Sequence, residues 1–104
     1  MTESEFARLA DETLARIENA IDDCGVDIDC ENTGGVLELT FSNGSRMVVN
    51  KQAASREIWL AAKSGGFHFI WKDGEWRDTR DGTLLFAALG KHAGAQSGQA
   101  VVLG

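Results

Sequence analysis

Apolar side chains recur at steps of three and four through the first quarter of the chain. Because a helix turns by about 100° per residue, these positions share one arc and the acidic residues share the opposite one. Thr2 and Glu5 have the spacing of a capping box, and Gly25 is the kind of residue that ends a helix. The pattern therefore predicts an amphipathic helix of about 20 residues. Its apolar positions are Phe6, Leu9, Ala10, Thr13, Leu14, Ile17, Ala20, Ile21 and Cys24.

Beyond this helix the period of the pattern changes to two. Apolar residues alternate with polar or charged ones, as they do in strands that bury one face. Asn43-Gly44 and Asp73-Gly74 are hairpin-turn signals between such segments, and Gly65-Gly66 separates another pair. The alternation predicts antiparallel strands over residues 26–31, 36–42, 46–50, 57–61, 67–71 and 75–77.

Helical spacing returns after the last predicted strand, and it predicts a second helix from residue 83 to about residue 92. Asp81 lies near its expected N-cap, and the apolar residues 101–103 are expected to lie back on the core. The order helix, strands, helix predicts the α+β class, as a two-layer α/β sandwich with two terminal helices on one face of an antiparallel sheet. We expect residues 1–104 to form a single domain. The second helix has the apolar stripe Leu84, Leu85, Ala88 and Leu89.

Charge and apolar content exclude several classes of function. The 104 residues carry 16 acidic and 10 basic side chains, a formal net charge of −6. Proteins that bind nucleic acid as their main partner carry basic patches. No apolar run approaches the roughly 18 residues of a membrane span, and the N-terminus lacks the features of a secretory signal. We therefore expect a cytoplasmic protein with no nucleic-acid or membrane partner.

The negative charge is concentrated in the first third of the chain. Residues 1–31 hold ten acidic and two basic side chains, a net charge of −8, whereas residues 32–104 hold six acidic and eight basic ones, a net charge of +2. Helical angles place acids in two rows on the first helix, and alternation places three more on the outward face of the first strand. The first row is Asp11, Glu18 and Asp22, the second is Glu12 and Asp23, and the strand carries Asp27, Asp29 and Glu31.

From the residues alone, this acidic surface has three interpretations. It is a solvated face that keeps the protein soluble, a surface for hard cations, or a docking surface for a basic partner. Carboxylate oxygens without His or Cys ligands suit Fe²⁺, Fe³⁺, Mn²⁺, Ca²⁺ or Mg²⁺ rather than zinc or copper. Because carboxylates spread along a helix do not form a closed cage, we expect weak binding at several sites.

Enzymatic motifs are missing from the sequence. It contains no phosphate-binding loop, dinucleotide fingerprint or metalloprotease motif, and neither His68 nor His92 belongs to a catalytic motif. We therefore expect a protein that is not an enzyme. Cys24 and Cys30 are expected to be free thiols, since a reducing compartment disfavours a disulfide and two thiols at this spacing are no zinc site.

One aromatic residue is predicted to lie outside the core. Trp59 alternates with Ile58 and Leu60, so it points away from the helices, and Asn50 and Gln52 end the preceding strand. An exposed tryptophan on a sheet favours contact with a partner. The alternative is that a loop or long side chains shield it.

Specific sequence blocks occur along nearly the whole chain. Asn50-Lys51-Gln52 is followed by Ile58-Trp59-Leu60-Ala61 and then by Gly65-Gly66-Phe67-His68-Phe69. With these blocks, the chain resembles the bacterial branch of the frataxin family. Further matching segments are the start from Ser4 to Asp11, Asp22-Asp23, Asp27-Ile28-Asp29-Cys30-Glu31, Gly34-Gly35-Val36-Leu37, Asn43-Gly44-Ser45 and Gly74-Glu75-Trp76.

This resemblance implies the frataxin fold, two helices on a five- to seven-stranded antiparallel sheet, and a role in iron–sulfur cluster assembly. Members of the family bind iron (Fe²⁺ or Fe³⁺) weakly on surface carboxylates. They dock on the cysteine desulfurase and the iron–sulfur scaffold protein, and bacterial members often restrain the desulfurase. Alone, such a protein is expected to be a monomer.

By position, the resemblance assigns the metal-binding carboxylates, here called the acidic ridge, to Glu18, Asp22, Asp23, Asp27, Asp29 and Glu31, with Asp11 nearby. It assigns partner binding to Glu12, Asp22 and Asp23 on the helix and to Asn50, Gln52 and Trp59 on the sheet. Two other functions remain as alternatives: an iron-oxidising or iron-storage protein, and an acidic interaction module that works without metal.

Overall fold

The computed structural model describes residues 1–103, which form two helices and one six-stranded sheet. The strands follow one another in chain order across the sheet, and each pairs antiparallel with the next. The predicted α+β sandwich is therefore confirmed. The elements are α1 (Glu3–Asp23), β1 (Ile28–Thr33), β2 (Val36–Phe41), β3 (Arg46–Gln52), β4 (Glu57–Ala62), β5 (Gly65–Lys72), β6 (Glu75–Asp78) and α2 (Leu85–Ser97).

Helix α1 begins with the predicted capping box. The Glu5 amide donates to the Thr2 hydroxyl at 3.1 Å, and the Thr2 amide donates to Glu5 Oε1 at 3.3 Å. These hydrogen bonds satisfy backbone donors that the first helical turn leaves free. They also hold the pKa of Glu5 below its usual range. The helix ends at Asp23, and Gly25 then takes a φ of 76°, which a residue with a Cβ rarely adopts.

Both helices pack on the same face of the sheet, here called the inner face. Phe6, Leu14 and Ile17 of α1 and Leu89 of α2 are almost fully buried in one cluster with the inward side chains of the strands. Trp76 of β6 lies within this cluster, and its indole N–H donates to the Thr13 hydroxyl at 2.8 Å. The opposite, outer face of the sheet carries no helix within residues 1–103.

Strand β1 begins later than the sequence pattern predicts. Val26 and Asp27 lie in the bend that follows α1, and pairing with β2 starts at Ile28, which faces Phe41. Our assignment of Asp27 to the outward face of the first strand is therefore wrong. The reason is that the chain turns at Gly25 and needs two more residues to reach the edge of the sheet.

Helix α2 is also displaced and extended relative to the predicted range. It starts at Leu85, because Asp81 accepts a hydrogen bond from the Thr83 amide and closes a turn instead of capping the helix. That bond lowers the pKa of Asp81. The helix continues beyond residue 92 to Ser97 and ends at Gly98, whose φ is 72°. Gly94 lies inside it, where a Cβ would lie only 3.3 Å from the Gln99 carbonyl oxygen. Glycine thus allows close packing here and does not break the helix.

The C-terminal residues return to the core as predicted. Val101 and Leu103 are buried, and Val102 between them is 82% exposed. A Cβ on Gly90 of α2 would lie 3.0 Å from the Val101 carbonyl oxygen, so the small residue lets the segment approach the helix. Neither helix within residues 1–103 is long and apolar enough to cross a membrane.

Candidate functional site

Two acidic residues in the first half of α1, Asp11 and Glu12, have cationic partners. Lys51 of β3 extends to the helix, and its Nζ lies 2.7 Å from Asp11 Oδ1. Arg8 Nη1 lies 3.3 Å from Glu12 Oε1, one turn along the helix. Lys51 passes directly over Gly35, where a Cβ would lie 2.6 Å from Lys51 Cε. These contacts reduce the charge that Asp11 and Glu12 present to another molecule.

The acidic residues in the second half of α1 have no such partners. Asp22 and Asp23 are exposed, Glu18 is half-buried, and the last turn of the helix contains no basic residue. None of the salt bridges within residues 1–103 involves these three carboxylates. The helix dipole also disfavours negative charge at this end, by about 0.3–1 kcal/mol per group. The local structure therefore leaves their charge uncompensated, which favours an external cation or a basic partner.

Strand β1 carries the next acidic residues on the outer face of the sheet. Asp29 and Glu31 are exposed, opposite Thr40 and Glu38 of β2. Together with Cys30, these residues line an open depression of about 440 Å³. Two carboxylates directly opposite each other repel, and Arg46, whose Nη1 lies 3.3 Å from Glu38 Oε1, offsets part of that repulsion.

Glu38 is an acidic neighbour that the sequence analysis did not select. Its only signal was its alternation with Leu37 and Leu39, which places it on the outer face. Its position opposite Glu31 depends on the β1–β2 register, which the sequence pattern does not specify. The acidic surface of β1 therefore extends one strand further than predicted.

The acidic ridge wraps around the edge of the sheet. Its helical residues lie in the layer that covers the inner face, whereas Asp29 and Glu31 point from the outer face. Cys30 lies at this edge, with its side chain on the inner side, and burial raises the pKa of its thiol to about 11, with the charges of Glu18 and Asp22 contributing in the same direction. The helix and the edge strand thus interact electrostatically.

The geometry of the ridge does not create a closed metal cage. Within residues 1–103, no three His, Cys, Asp or Glu side chains come together in a group that could hold a metal ion. Carboxylates that act singly or in pairs leave most of a cation's coordination sphere to water. The oxygen donors themselves suit hard cations. Cys24 and Cys30 are both free thiols and partly buried.

The predicted sheet surface lies on the outer face, at the centre of the sheet. Trp59 points to the outer face, as its alternation with the buried Ile58 and Leu60 predicted, and the register of β3 and β4 puts it directly opposite Asn50. Gln52 Nε2 donates to Asn50 Oδ1 at 2.6 Å. The two amides are therefore ordered by each other beside the indole, which leaves a defined polar and aromatic patch.

His68 and Glu57 complete this patch, and the sequence analysis did not select them as site residues. The His68 ring stacks on Trp59 with ring centroids 4.4 Å apart and an interplanar angle of 7°. Glu57 Oε1 accepts a hydrogen bond from the Trp59 indole N–H at 2.7 Å and lies 3.6 Å from His68 Nδ1. The Glu57 carboxylate thus fixes the orientation of the indole, and the imidazole stacks on that ring. The alternation of His68 with Phe67 and Phe69 placed it on this face, but not against Trp59.

Comparison with known proteins connects this geometry with a family. Residues 1–99 match the family model described as a frataxin-like domain. A protein of Paraburkholderia phymatum named iron-sulfur cluster assembly protein CyaY is 50% identical over 101 residues, which are 97% of this chain and 96% of that protein. The protein of the same name from Tolumonas auensis is 47% identical over the full length of both chains.

Solved structures agree with the sequence relatives. The frataxin of Psychromonas ingrahamii, studied as a member of the CyaY protein family, is 33% identical and covers 100% of this chain and 99% of its own, with a TM-score of 0.93. The trimeric frataxin of Saccharomyces cerevisiae, complexed with ferrous iron, is 29% identical and covers 95% and 88% of the two chains, with a TM-score of 0.69. These matches span the two helices, the sheet and the acidic ridge, and by them the chain belongs to the frataxin-like family.

Proposed function

We propose that this protein is an iron-binding regulator of iron–sulfur cluster assembly that docks on a cysteine desulfurase and its scaffold protein. The observation that carries the proposal is the unpaired negative charge of Glu18, Asp22 and Asp23 at the end of α1, continued by Asp29 and Glu31 on β1. The sequence relatives named as iron–sulfur cluster assembly proteins support the pathway. The yeast frataxin complexed with ferrous iron supports the metal.

Docking would use electrostatics first. A basic groove on the desulfurase would attract the ridge, raise the association rate and make binding sensitive to salt. The half-buried patch of Asn50, Gln52 and Trp59 lies on the outer face of the sheet and offers a second contact for the scaffold. An ordered tryptophan beside amides is the type of surface that protein partners use.

Iron on the ridge would compete with or modify this docking. The carboxylates supply only oxygen ligands in ones and twos, so iron would keep several waters and bind weakly, as a cargo ion. Bound iron would neutralise part of the charge that attracts the desulfurase. By linkage, the desulfurase must then change the affinity of the protein for iron by the same factor.

The test is an anaerobic NMR titration with Fe²⁺, repeated with Co²⁺, followed by a desulfurase assay with and without iron. We expect signals of Glu18, Asp22, Asp23 and their β1 neighbours to broaden or shift first. In the variant Asp22→Asn with Asp23→Asn this response should be lost. The matched variant Asp11→Asn with Glu12→Gln removes the same charge from the compensated half and should retain it. No response at millimolar metal would favour the metal-independent interaction module.

The iron-oxidising alternative makes a different prediction. Such a protein needs a confined site with several ligands for one ion, and residues 1–103 contain no cluster of that kind. We therefore expect oxygen to oxidise Fe²⁺ no faster in the presence of the protein than in buffer. Faster oxidation, abolished by Asp22→Asn with Asp23→Asn, would replace the regulatory proposal with the enzymatic one.

A further inference from the structure

A second polar region lies far from the acidic ridge in sequence, where α2 meets two hairpin turns. The turns are 42–45, between β2 and β3, and 63–64, between β4 and β5. Gln96 of α2 connects them: its Oε1 accepts from the Lys63 amide at 2.8 Å, and its Nε2 donates to Ser45 Oγ at 3.2 Å and to the Arg46 carbonyl at 3.1 Å. Asn43 Nδ2 donates to the Gln96 carbonyl at 2.6 Å. Gln96 is 9% exposed, so one buried amide fixes three elements against each other.

These three elements form a cleft of about 400 Å³. That volume falls within the range typical of small-molecule sites. The lining contains hydroxyl, amide, imidazole and ammonium groups and, within residues 1–103, no carboxylate. In a chain with a net charge of −6, a cleft free of acids is a distinct electrostatic environment. Its lining residues are Asn43, Ser45, Lys63, Ser64, His92, Ala95 and Gln96.

Ser64 and His92 form a hydrogen-bonded pair in this cleft. Ser64 Oγ lies 3.1 Å from His92 Nδ1, and the imidazole packs against the Phe67 ring with centroids 4.6 Å apart. Burial, and then the neighbouring Lys91, lower the pKa of His92, which favours the neutral ring. The charge that acts on the ring is that of Lys91 on its own helix. Lys63, on the β4–β5 turn, also lines the cleft.

We propose that this cleft binds a phosphoryl group, as inorganic phosphate or as a small phosphate monoester. The Lys63 ammonium would supply charge, and the hydroxyl of Ser64 and the His92 ring would supply directed donors. Several donors around one point suit the tetrahedral oxygens of phosphate better than a planar carboxylate. The lining of the cleft contains no residue of the acidic ridge, so variants of the cleft leave the carboxylates of the proposed iron site unchanged.

Binding would be coupled to protonation of His92. When the neutral ring accepts from Ser64, the hydroxyl hydrogen is used within the pair. Once Nδ1 is protonated it becomes a donor to Ser64 Oγ, and the hydroxyl hydrogen is then free for the anion. A bound anion therefore raises the pKa of His92, and by linkage a lower pH strengthens anion binding.

The experiment is an NMR titration of the full chain at constant ionic strength, with inorganic phosphate and O-phosphoserine as separate ligands and chloride as the reference ion. We expect saturable shifts at Ser64, Gly65 and His92. The tighter of the two ligands identifies the source of the phosphoryl group. Lys63→Gln should weaken binding about fivefold, the upper range for an exposed ion pair. Lys72→Gln, which removes a lysine from the outer face, should leave the affinity unchanged.

A second arm tests the coupling with sulfate, which keeps its double charge from pH 6 to pH 8. Wild-type protein should bind sulfate more tightly at pH 6 than at pH 8, and His92→Gln should bind it equally at both. Shifts that stay linear with phosphate concentration, equal losses in Lys63→Gln and Lys72→Gln, or equal binding of acetate would overturn the proposal. The dispersion of the same spectra establishes that each variant is folded.

Discussion

Near the middle of α1 the acidic residues Asp11 and Glu12 each have a cationic partner, whereas at its end Asp22 and Asp23 have none. The two halves carry similar residues on the same helix, and the sequence pattern treats them alike. What differs is the neighbourhood. Lys51 reaches Asp11 from β3, but the segment that follows the other end contributes Asp27 and Asp29 in place of a base. Whether a carboxylate has a cationic partner, more than how many acids a segment holds, therefore decides whether its charge can act on another molecule.

The energetic cost of the two halves differs in the same way. The pairs in the first half contribute modestly to stability, in the range of exposed salt bridges. In the second half, carboxylates oppose the helix dipole and the neighbouring acids of β1. A fold that retains such repulsion gains stability when a cation or a basic surface arrives, because ligand binding then removes it.

The largest effect expected from this difference is on partner binding. If the ridge docks as proposed, the charge reversal Asp22→Lys with Asp23→Lys should weaken binding to the cysteine desulfurase at least tenfold, since it would place repulsive charge opposite a basic groove. Asp11→Lys with Glu12→Lys reverses the same number of charges in the compensated half and should cost less. Trp59→Ala should also cost less. Binding can be measured by biolayer interferometry at two salt concentrations. Equal losses of affinity in the three variants would contradict the difference proposed between the two halves of α1.

The next effect concerns Gly35, over which Lys51 passes to reach Asp11. Gly35→Ala should lower the free energy of unfolding by about 1 kcal/mol or somewhat more, because φ there is 86° and the new methyl group would displace Lys51 from Asp11. Gly34→Ala is the matched control: its φ is 59° and no atom lies within 4 Å of the added Cβ. Urea unfolding measures both. If Gly34→Ala costs as much, backbone strain accounts for the loss and the approach of Lys51 does not.

The contrast between the halves also shows which parts of the structure local sequence patterns could predict. Period and capping signals identified α1, the hairpins and the outward position of Trp59, because each depends on neighbours within a few residues. The Lys51–Asp11 pair joins residues 40 positions apart, and the opposition of Glu31 and Glu38 depends on strand register. No pattern among neighbouring residues in the sequence predicts either contact.

Errors in the predicted elements have the same origin. The predicted end of α2 near residue 92 treated a glycine-containing stretch as the end of the helix. In the structure Gly90 and Gly94 are the sites where the C-terminal segment approaches α2. Their role depends on tertiary packing, which overrides the low helical propensity of glycine. The extended part of the helix carries Gln96, which lines the cleft.

A smaller effect is expected on stability, where Asp11→Asn and Asp23→Asn should change the free energy of unfolding in opposite directions. Asp11→Asn removes the charge that pairs with Lys51 and should lower the free energy of unfolding by about 0.5 kcal/mol. Asp23→Asn removes a charge that opposes the helix dipole and should raise it by about the same amount. Both changes replace one carboxylate by its isosteric amide on the same helix, so each is the control for the other. Urea unfolding at low ionic strength measures the two values, and equal signs would contradict the comparison.

The smallest effect concerns the reactivity of the Cys30 thiol, because its pKa depends in part on the charges of Glu18 and Asp22 in the second half of α1. Its thiol has a pKa raised to about 11 by burial first and then by Glu18 and Asp22, so at pH 8.5 under about 1% is thiolate. Asp22→Asn removes one of the smaller causes, lowers that pKa and should speed alkylation by iodoacetamide by less than about twofold. Asp11→Asn should leave the rate unchanged. Peptide mass spectrometry follows Cys30 separately from Cys24. A rate that falls in Asp22→Asn would mean that this carboxylate does not suppress the thiolate.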